Sequence, residues 1–267
     1  MWIKEPTEDI TNKSSYATNL NLLWKSDKLP LYIMDNHLAA AWCWMQECKP
    51  ESRYCFFHID RHNDLGAVAP YSCYQHVKEN PQLSIDDYTG IRNPIASLDR
   101  PAFTWDNYIN QTIQLFPDWF GKCIYATHTP LNDMERKMNL GCNVIEEMRP
   151  FNLPDILNEE LEVDELDQIR YEVGGEQMPR WIVNIDLDYF FYSFRDDSTQ
   201  RLLTDDYIRM MASVLYKNIK RLAVVTVALS PECCGGWKPA LDAATELLRN
   251  DYFIESGFEF LERMNLL

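Results

Sequence analysis

Glycine is scarce in this chain, nine in 267 residues, and neither G-x-G-x-x-G nor G-x-x-x-x-G-K-[ST] can be written from them. The usual phosphate cradles are therefore missing, and a nucleotide cofactor is not expected. Cations are scarce as well: 25 Lys and Arg stand against 41 Asp and Glu, a formal charge of −16. Nucleic-acid affinity rests on clustered cations, so that class of partner is excluded, whereas an acidic field concentrates metal ions and cationic substrates. No C-x-x-C occurs among the eight cysteines, which argues against zinc ribbons and thioredoxin-type motifs and gives the expectation of reduced thiols in a cytoplasm. The longest apolar stretches, Leu38 to Met45 and Leu222 to Leu229, are far too short to span a bilayer, and Met1 to Asp9 lacks the apolar core of a signal peptide. The expectation is a soluble, cytoplasmic protein with no membrane partner.

What is present is a large supply of core residues, 46% hydrophobic and 13% aromatic. Short apolar runs end abruptly in polar residues. Leu31 to Met34 stops at Asp35, Asn36 and His37 and is followed by a helical segment, Leu38 to Met45. Tyr54 to Ile59 runs into Asp60-Arg61-His62-Asn63-Asp64. Cys123 to Thr127 reads as a strand. Trp181 to Ile185 ends in Asp186-Leu187-Asp188, and Ala223 to Leu229 ends in Ser230-Pro231-Glu232, with helices expected at Asp205 to Arg221 and Pro239 to Arg249. Strands rich in Val, Ile and aromatics that alternate with helices predict an α/β three-layer sandwich around a largely parallel sheet. One domain over 1–267 is expected, with an acidic insertion around 131–177. Its acidic core, Asp155 to Glu176, reads either as a solvated face or as a surface that recruits a basic partner.

Four strands thus deliver acidic or imidazole side chains just past their last apolar residue, and in an open α/β sheet such ends converge on one edge, where ligands bind. Alternation along D-x-H-x-D and D-x-D puts every second side chain on one side. Asp60, Asp64, Asp186 and Asp188 would then gather four negative charges, each pair costing about 4 kcal/mol at ~4 Å and an effective dielectric near 20. Two divalent cations cancel that charge. Imidazole and carboxylate donors suit manganese better than a soft metal. Each cluster also has a plainer reading, since a surface turn carries D-x-H and a strand-end aspartate caps a helix.

His37, Asp60-Arg61-His62-Asn63-Asp64 and Asp186-Leu187-Asp188, in that order, resemble the binuclear manganese signature of arginases and related ureohydrolases. With Met34-Asp35-Asn36-His37, His58-Ile59-Asp60-Arg61-His62 and Ser230-Pro231-Glu232-Cys233-Cys234-Gly235-Gly236-Trp237, the chain resembles more closely a little-annotated arginase-related family. That family includes peptide arginases, which tailor ribosomally made peptides. The resemblance implies an arginase/deacetylase-like fold and two Mn2+, with Asp60 and Asp186 shared between the metals, His37 and Asp64 completing one site and His62 and Asp188 the other. It further implies that Glu232 grips the guanidinium and that His76 relays protons, with Asp64 and His128 as competitors for that role.

Departures from the ureohydrolase pattern bear on the substrate. Met34-Asp35-Asn36 stands where Gly-Gly-Asp is usual, Tyr189-Phe190-Phe191 replaces an expected Asp-Pro, and Leu65-Gly66-Ala67-Val68 lacks the Asn and Ser that hold the α-carboxylate of free arginine. The implied reaction is hydrolysis of arginine side chains in a precursor peptide to ornithine and urea. A ureohydrolase for free arginine or agmatine shares the ligand set. A single-zinc deacetylase needs only Asp60, His62 and Asp186, leaving His37, Asp64 and Asp188 unexplained, and a non-catalytic binding protein would have lost ligands.

Overall fold

The computed structural model describes residues 1–16, 18–95, 100–133, 135, 144–148, 152–162, 180–194, 198–249 and 254–264. Eight strands form one sheet: β1 (Trp2–Lys4), β2 (Leu23–Lys25), β3 (Leu31–Met34), β4 (Tyr54–Asp60), β5 (Phe120–Thr127), β6 (Val144–Met148), β7 (Trp181–Asp186) and β8 (Leu222–Ala228). Their spatial order is β1-β2-β3-β8-β7-β4-β5-β6. From β3 to β6 every pairing is parallel, and β1 and β2 form an antiparallel margin.

The central strands are continuous apolar runs because both sheet faces are covered. Phe56, Ile182 and Val224 face one layer, which holds α1 (Ala40–Glu47) and α2 (Tyr108–Leu115). The next residues, Phe57, Val183 and Val225, face the other layer. That layer holds α3 (Leu153–Glu162), α4 (Asp205–Lys217), α5 (Trp237–Leu248) and α6 (Ile254–Arg263). The α/β three-layer arrangement expected from the sequence is the one observed, and among the described residues no helix is long and apolar enough to cross a membrane.

Topology places the site. From β4 the chain moves outward through β5 to β6, then returns to β7 beside β4 and on to β8. Loops leaving the adjacent strands β4 and β7 therefore depart in opposite directions and open a crevice at their carboxyl ends, the switch point where α/β sheets bind ligands.

Several elements were absent from the sequence reading. β1 and β2 precede its first unit, and Phe191–Ser193 with Thr199–Arg201 form a small antiparallel ribbon beyond β7. Within 131–177, β6 pairs with β5, and Leu153, Leu157 and Leu161 of α3 are buried against the sheet. These parts of the expected insertion are thus built into the fold. Residues 163–179, with most of the acidic run Asp155 to Glu176, lie outside the described residues. Cys123 is disulfide-bonded, which corrects the expectation of eight reduced thiols. Cys43, Cys48, Cys73, Cys233 and Cys234 are free.

Phe57 is fully buried on β4. Phe57→Ala should lower stability by about 3–5 kcal/mol through lost apolar transfer and the cavity left behind. The check is the denaturant midpoint at unchanged slope, and a loss below about 1 kcal/mol would mean that the layer repacks.

Candidate metal centre

β4 and β7 pair in register up to Ile59 and Ile185, so the next residue of each, Asp60 and Asp186, ends its strand beside the other. Both are buried. Each carboxylate accepts the main-chain N–H two residues on: His62 N–H to Asp60 Oδ1 at 2.6 Å, and Asp188 N–H to Asp186 Oδ1 at 2.9 Å. These Asx turns fold the chain back on itself, which carries His62 and Asp188 to the same place. From β3 the chain reaches the crevice through Asn36. Its side-chain oxygen accepts the Leu38 N–H at 3.0 Å and caps the short turn His37–Ala39.

The side chains meet closely. His37 Nδ1 lies 3.3 Å from Asp60 Oδ2, 3.1 Å from Asp64 Oδ2 and 3.3 Å from Asp186 Oδ2. His62 Nδ1 lies 3.5 Å from Asp60 Oδ1 and 3.1 Å from Asp188 Oδ2. Asp60 thus stands between the two imidazoles. Donor atoms of His37, Asp60 and Asp186 fall within 4.8 Å of one another, as do those of Asp60, His62 and Asp188. Asp186 reaches the first group only, and its Oδ2 also accepts the Ser230 hydroxyl at 2.6 Å. Among the described residues, Asp64 and Ser230 are the non-glycine positions with positive φ, 52° and 42°, a backbone cost that clusters at functional sites.

The donor set fits hard divalent cations. Asp60 Oδ2 and Asp188 Oδ2 are buried and, although the His37 and His62 rings stand 3.3 and 3.1 Å away, accept no well-directed hydrogen bond among the described residues, and buried carboxylate oxygens are seldom left so. Nitrogen and oxygen donors predominate, as such metals prefer. Cys233 also lines the cavity, but burial and the nearby Asp188 and Asp186 push its thiol up, so it stays protonated at neutral pH.

Apart from the Arg61 guanidinium, 3.7 Å from Asp188 Oδ2, the counter-charge in the cluster is protons, and it holds them tightly. Burial alone would lower the His37 imidazole, but Asp186, Asp60 and Asp64 push it well above its ordinary value. His62 behaves alike, raised to about 11 against its burial by Asp188 and Asp60. Burial and Asp60 push Asp64 up to about 7, while burial and Asp188 raise Asp186. Asp60 is held well below the carboxylate range, against its burial, by His37 and His62.

Other expected residues are placed as follows. Glu232 is exposed and lines the same cavity, about 150 Å³ in volume. Its carboxylate accepts the Ser15 N–H at 2.6 Å, the Ser15 hydroxyl at 2.5 Å and the Ser14 hydroxyl at 3.0 Å. His76 is exposed on a short helix and lines a different cleft, with Cys73, Asn80, Leu83 and Asp87 among its neighbours there. His128 follows β5, with its ring centroid 5.1 Å from that of Tyr189. Its Nε2 is buried without a hydrogen-bond partner among the described residues, and burial lowers its pKa. Four contributors were not singled out from the sequence: His58, two residues before Asp60 on the same face of β4; the Ser14–Tyr16 segment; Trp105, whose ring lies 6.1 Å from Tyr16 at the cavity mouth; and Ser230. Only His58 carries a readable signal, its two-residue spacing from a strand-end ligand.

At pH 7 the imidazoles of His37 and His62 carry protons that a bound cation must displace. Saturation with Mn2+ should therefore release at least about two protons per chain, with Asp64 and Asp186 adding to the count, read by pH-stat titration in unbuffered solution. Binding with no proton release would show that the imidazoles are not ligands.

No family model and no curated protein matches the chain. Among solved structures, the chain is similar to an arginase from Entamoeba histolytica in complex with L-ornithine, at 14% identity over 81% of this chain and 68% of that one, with a TM-score of 0.43. It is also similar to the arginase of Helicobacter pylori, at 11% identity over 86% of this chain and 70% of that one, with a TM-score of 0.40.

Proposed function

We propose that the chain is a hydrolase that holds two Mn2+ ions and converts arginine side chains of a precursor peptide to ornithine and urea. The observation that carries this reading is the pairing of two imidazole–carboxylate groups around Asp60 with a carboxylate, Glu232, on the wall of the same cavity. His37, Asp60, Asp64 and Asp186 would hold one ion, and Asp60, His62 and Asp188 the other; the sharing of Asp186 that the resemblance implies is not carried over, because Asp186 reaches the first group only. When bound, the pair supplies activation of a water nucleophile at neutral pH.

The remaining work falls to the chain. Glu232 accepts the guanidinium N–H groups, a charge-assisted contact well suited to that planar cation, and its bonds from Ser14 and Ser15 fix the plane in which it does so. Tyr16 and Trp105 narrow the mouth and offer ring faces to a cation, worth about 0.5–1 kcal/mol where exposed. The departing amine nitrogen needs a proton. Asp64 lines the cavity, where it could relay that proton, while His76 lines another cleft and His128 packs against Tyr189.

Two features support a peptide as the substrate. No Lys or Arg is among the described residues lining the cavity, so a free α-carboxylate meets no cationic clamp there. Leu65-Gly66-Ala67, where ureohydrolases keep α-carboxylate ligands, spends its main chain on structure. The Gly66 N–H donates to Asp106 O at 2.6 Å, and its carbonyl accepts from Asn110 Nδ2 at 3.0 Å. A Cβ at Gly66 would sit 2.7 Å from that Asp106 oxygen, so the close approach requires glycine.

Glu232→Gln should keep its metal content yet lose at least about a hundredfold in turnover, because an orienting charged contact is lost at the reacting group. Normal hydrolysis by this variant would make Glu232 structural. The substrate class is decided by kcat/KM for an arginine-containing peptide, free arginine and agmatine. The peptide should exceed both by tenfold or more, and equal values would make the protein a small-molecule ureohydrolase.

A further inference from the structure

One buried titratable group beside the cluster has no part in the reaction above. His58 is completely buried on β4, and with Asp60 and Asp64 it forms a third close group of donors. By spacing alone it could be a further metal ligand. The hydrogen bonds beneath the site argue otherwise.

In register, Thr226 of β8 pairs with Asn184 of β7, and Asn184 pairs with His58 of β4. Their side chains form a polar rung across three parallel strands, one step below the rung that carries Asp186 and Asp60. The rung has a direction because it starts at Trp44 of α1, whose indole N–H can only donate. Trp44 Nε1 donates to Thr226 Oγ1 at 3.1 Å, and Thr226 Oγ1 donates to Asn184 Oδ1 at 2.7 Å. Asn184 Nδ2 then spends one proton on Tyr108 Oη at 2.8 Å and the other on His58 Nδ1 at 2.9 Å. Reversing the amide would set the Thr226 hydroxyl between two donors, with its own proton unused. Nδ1 of His58 is therefore an acceptor, and in the neutral ring the proton sits on Nε2. That nitrogen lies 3.3 Å from the main-chain carbonyl of His62 and 3.7 Å from Asp60 Oδ2.

We propose that His58 is a positioning residue: its ring, protonated on Nε2 by the polarity of the Trp44–Thr226–Asn184 rung, donates to the His62 carbonyl and so ties down the turn that presents Asp60, His62 and Asp64. A protonated Nε2 cannot ligate a metal, so His58 acts through the ligands and not as one of them. The carbonyl it holds belongs to the middle of that turn, between ligands at both ends. Partners of this kind are commonly worth about 10–100-fold in metal affinity. This inference rests on the reading that the cluster binds metal, but not on what the loaded protein hydrolyses.

The test uses the full chain in two measurements. In protein labelled with 15N-histidine and stripped of metal, only five histidines contribute. The neutral His58 ring, assigned by its disappearance in His58→Gln, should show a protonated Nε2 and a bare Nδ1. Calorimetric titration with Mn2+ then compares variants. Gln places an amide N–H near the position of Nε2, so His58→Gln should bind within a few-fold of the native chain. His58→Asn, whose amide reaches only the Nδ1 position, and His58→Leu should bind at least tenfold more weakly. A proton on Nδ1, or native affinity in His58→Asn, overturns the proposal. So does His58→Gln binding as weakly as His58→Leu, which would make the ring a ligand. Should Leu or Asn fail to fold, the native tautomer and the Gln variant still decide. A metal-loaded native chain that hydrolyses no guanidino compound refutes the proposed reaction and leaves these outcomes untouched.

Discussion

Four aspartates whose side chains are almost wholly withdrawn from water stand at the ends of two neighbouring strands, and their mutual repulsion is the constraint the rest of the site answers to. At ~4 Å and an effective dielectric near 20, each pair of such charges opposes folding by about 4 kcal/mol, a large share of the stability of a typical domain. Register makes the gathering unavoidable, because β4 and β7 end side by side and each ends in aspartate. The protein meets the cost with main-chain donors, imidazoles and the Arg61 guanidinium, 3.7 Å from Asp188 Oδ2. Asp60 and Asp186 each take an N–H from their own turn, Asp188 takes the Arg61 N–H at 3.2 Å, and His37 and His62 stand within 3.5 Å of the acids. Even so, Oδ2 of Asp60 and of Asp188 accepts no well-directed hydrogen bond among the described residues, and these oxygens mark where a cation would add most.

The helix-cap reading of Asp186 and the ligand reading turn out to be compatible, because a carboxylate has two oxygens. Oδ1 of Asp186 caps the turn that follows β7, and Oδ2 faces His37 and Ser230. Asp60 divides its oxygens similarly. A strand-end aspartate in D-x-H or D-x-D thus shapes its own turn while presenting a free edge to the crevice. The spacing of these motifs is as much a folding device as a ligand pattern.

Much of the aspartate–histidine cluster could be read from the sequence because each of its side chains sits at fixed offset from the end of an apolar strand, where period-two alternation and hydrophobicity are strongest. Tyr54 to Ile59 and Trp181 to Ile185 lie within one residue of the observed strands β4 and β7. The margin was less legible. β1 and β2 are three residues each, too short to show alternation; β2 joins the sheet by antiparallel pairing with β3, and β1 pairs with β2. Asp35 anchors that margin by accepting the N–H groups of Asn21 and Leu22 at 2.8 and 2.9 Å, a long-range contact with no local signature.

The substrate side was illegible for the same physical reason. Ser14, Ser15, Tyr16 and Trp105 lie in segments without periodicity, and their places are fixed by single bonds to distant residues. Trp237 Nε1 donates to the Lys13 carbonyl at 2.8 Å, Asn21 Nδ2 donates to the Ser14 carbonyl at 2.9 Å, and the Asn36 amide donates to the Ser15 carbonyl. Asn36 therefore acts twice, capping the turn that aims His37 and fastening the segment that orients Glu232. Through this one side chain the amino-terminal segment and the His37 turn are tied together, so the placing of Glu232 relative to the aspartate–histidine cluster depends on a contact across 21 positions of sequence. Sheet register determines where charge gathers, and the loop contacts determine what that charge can face.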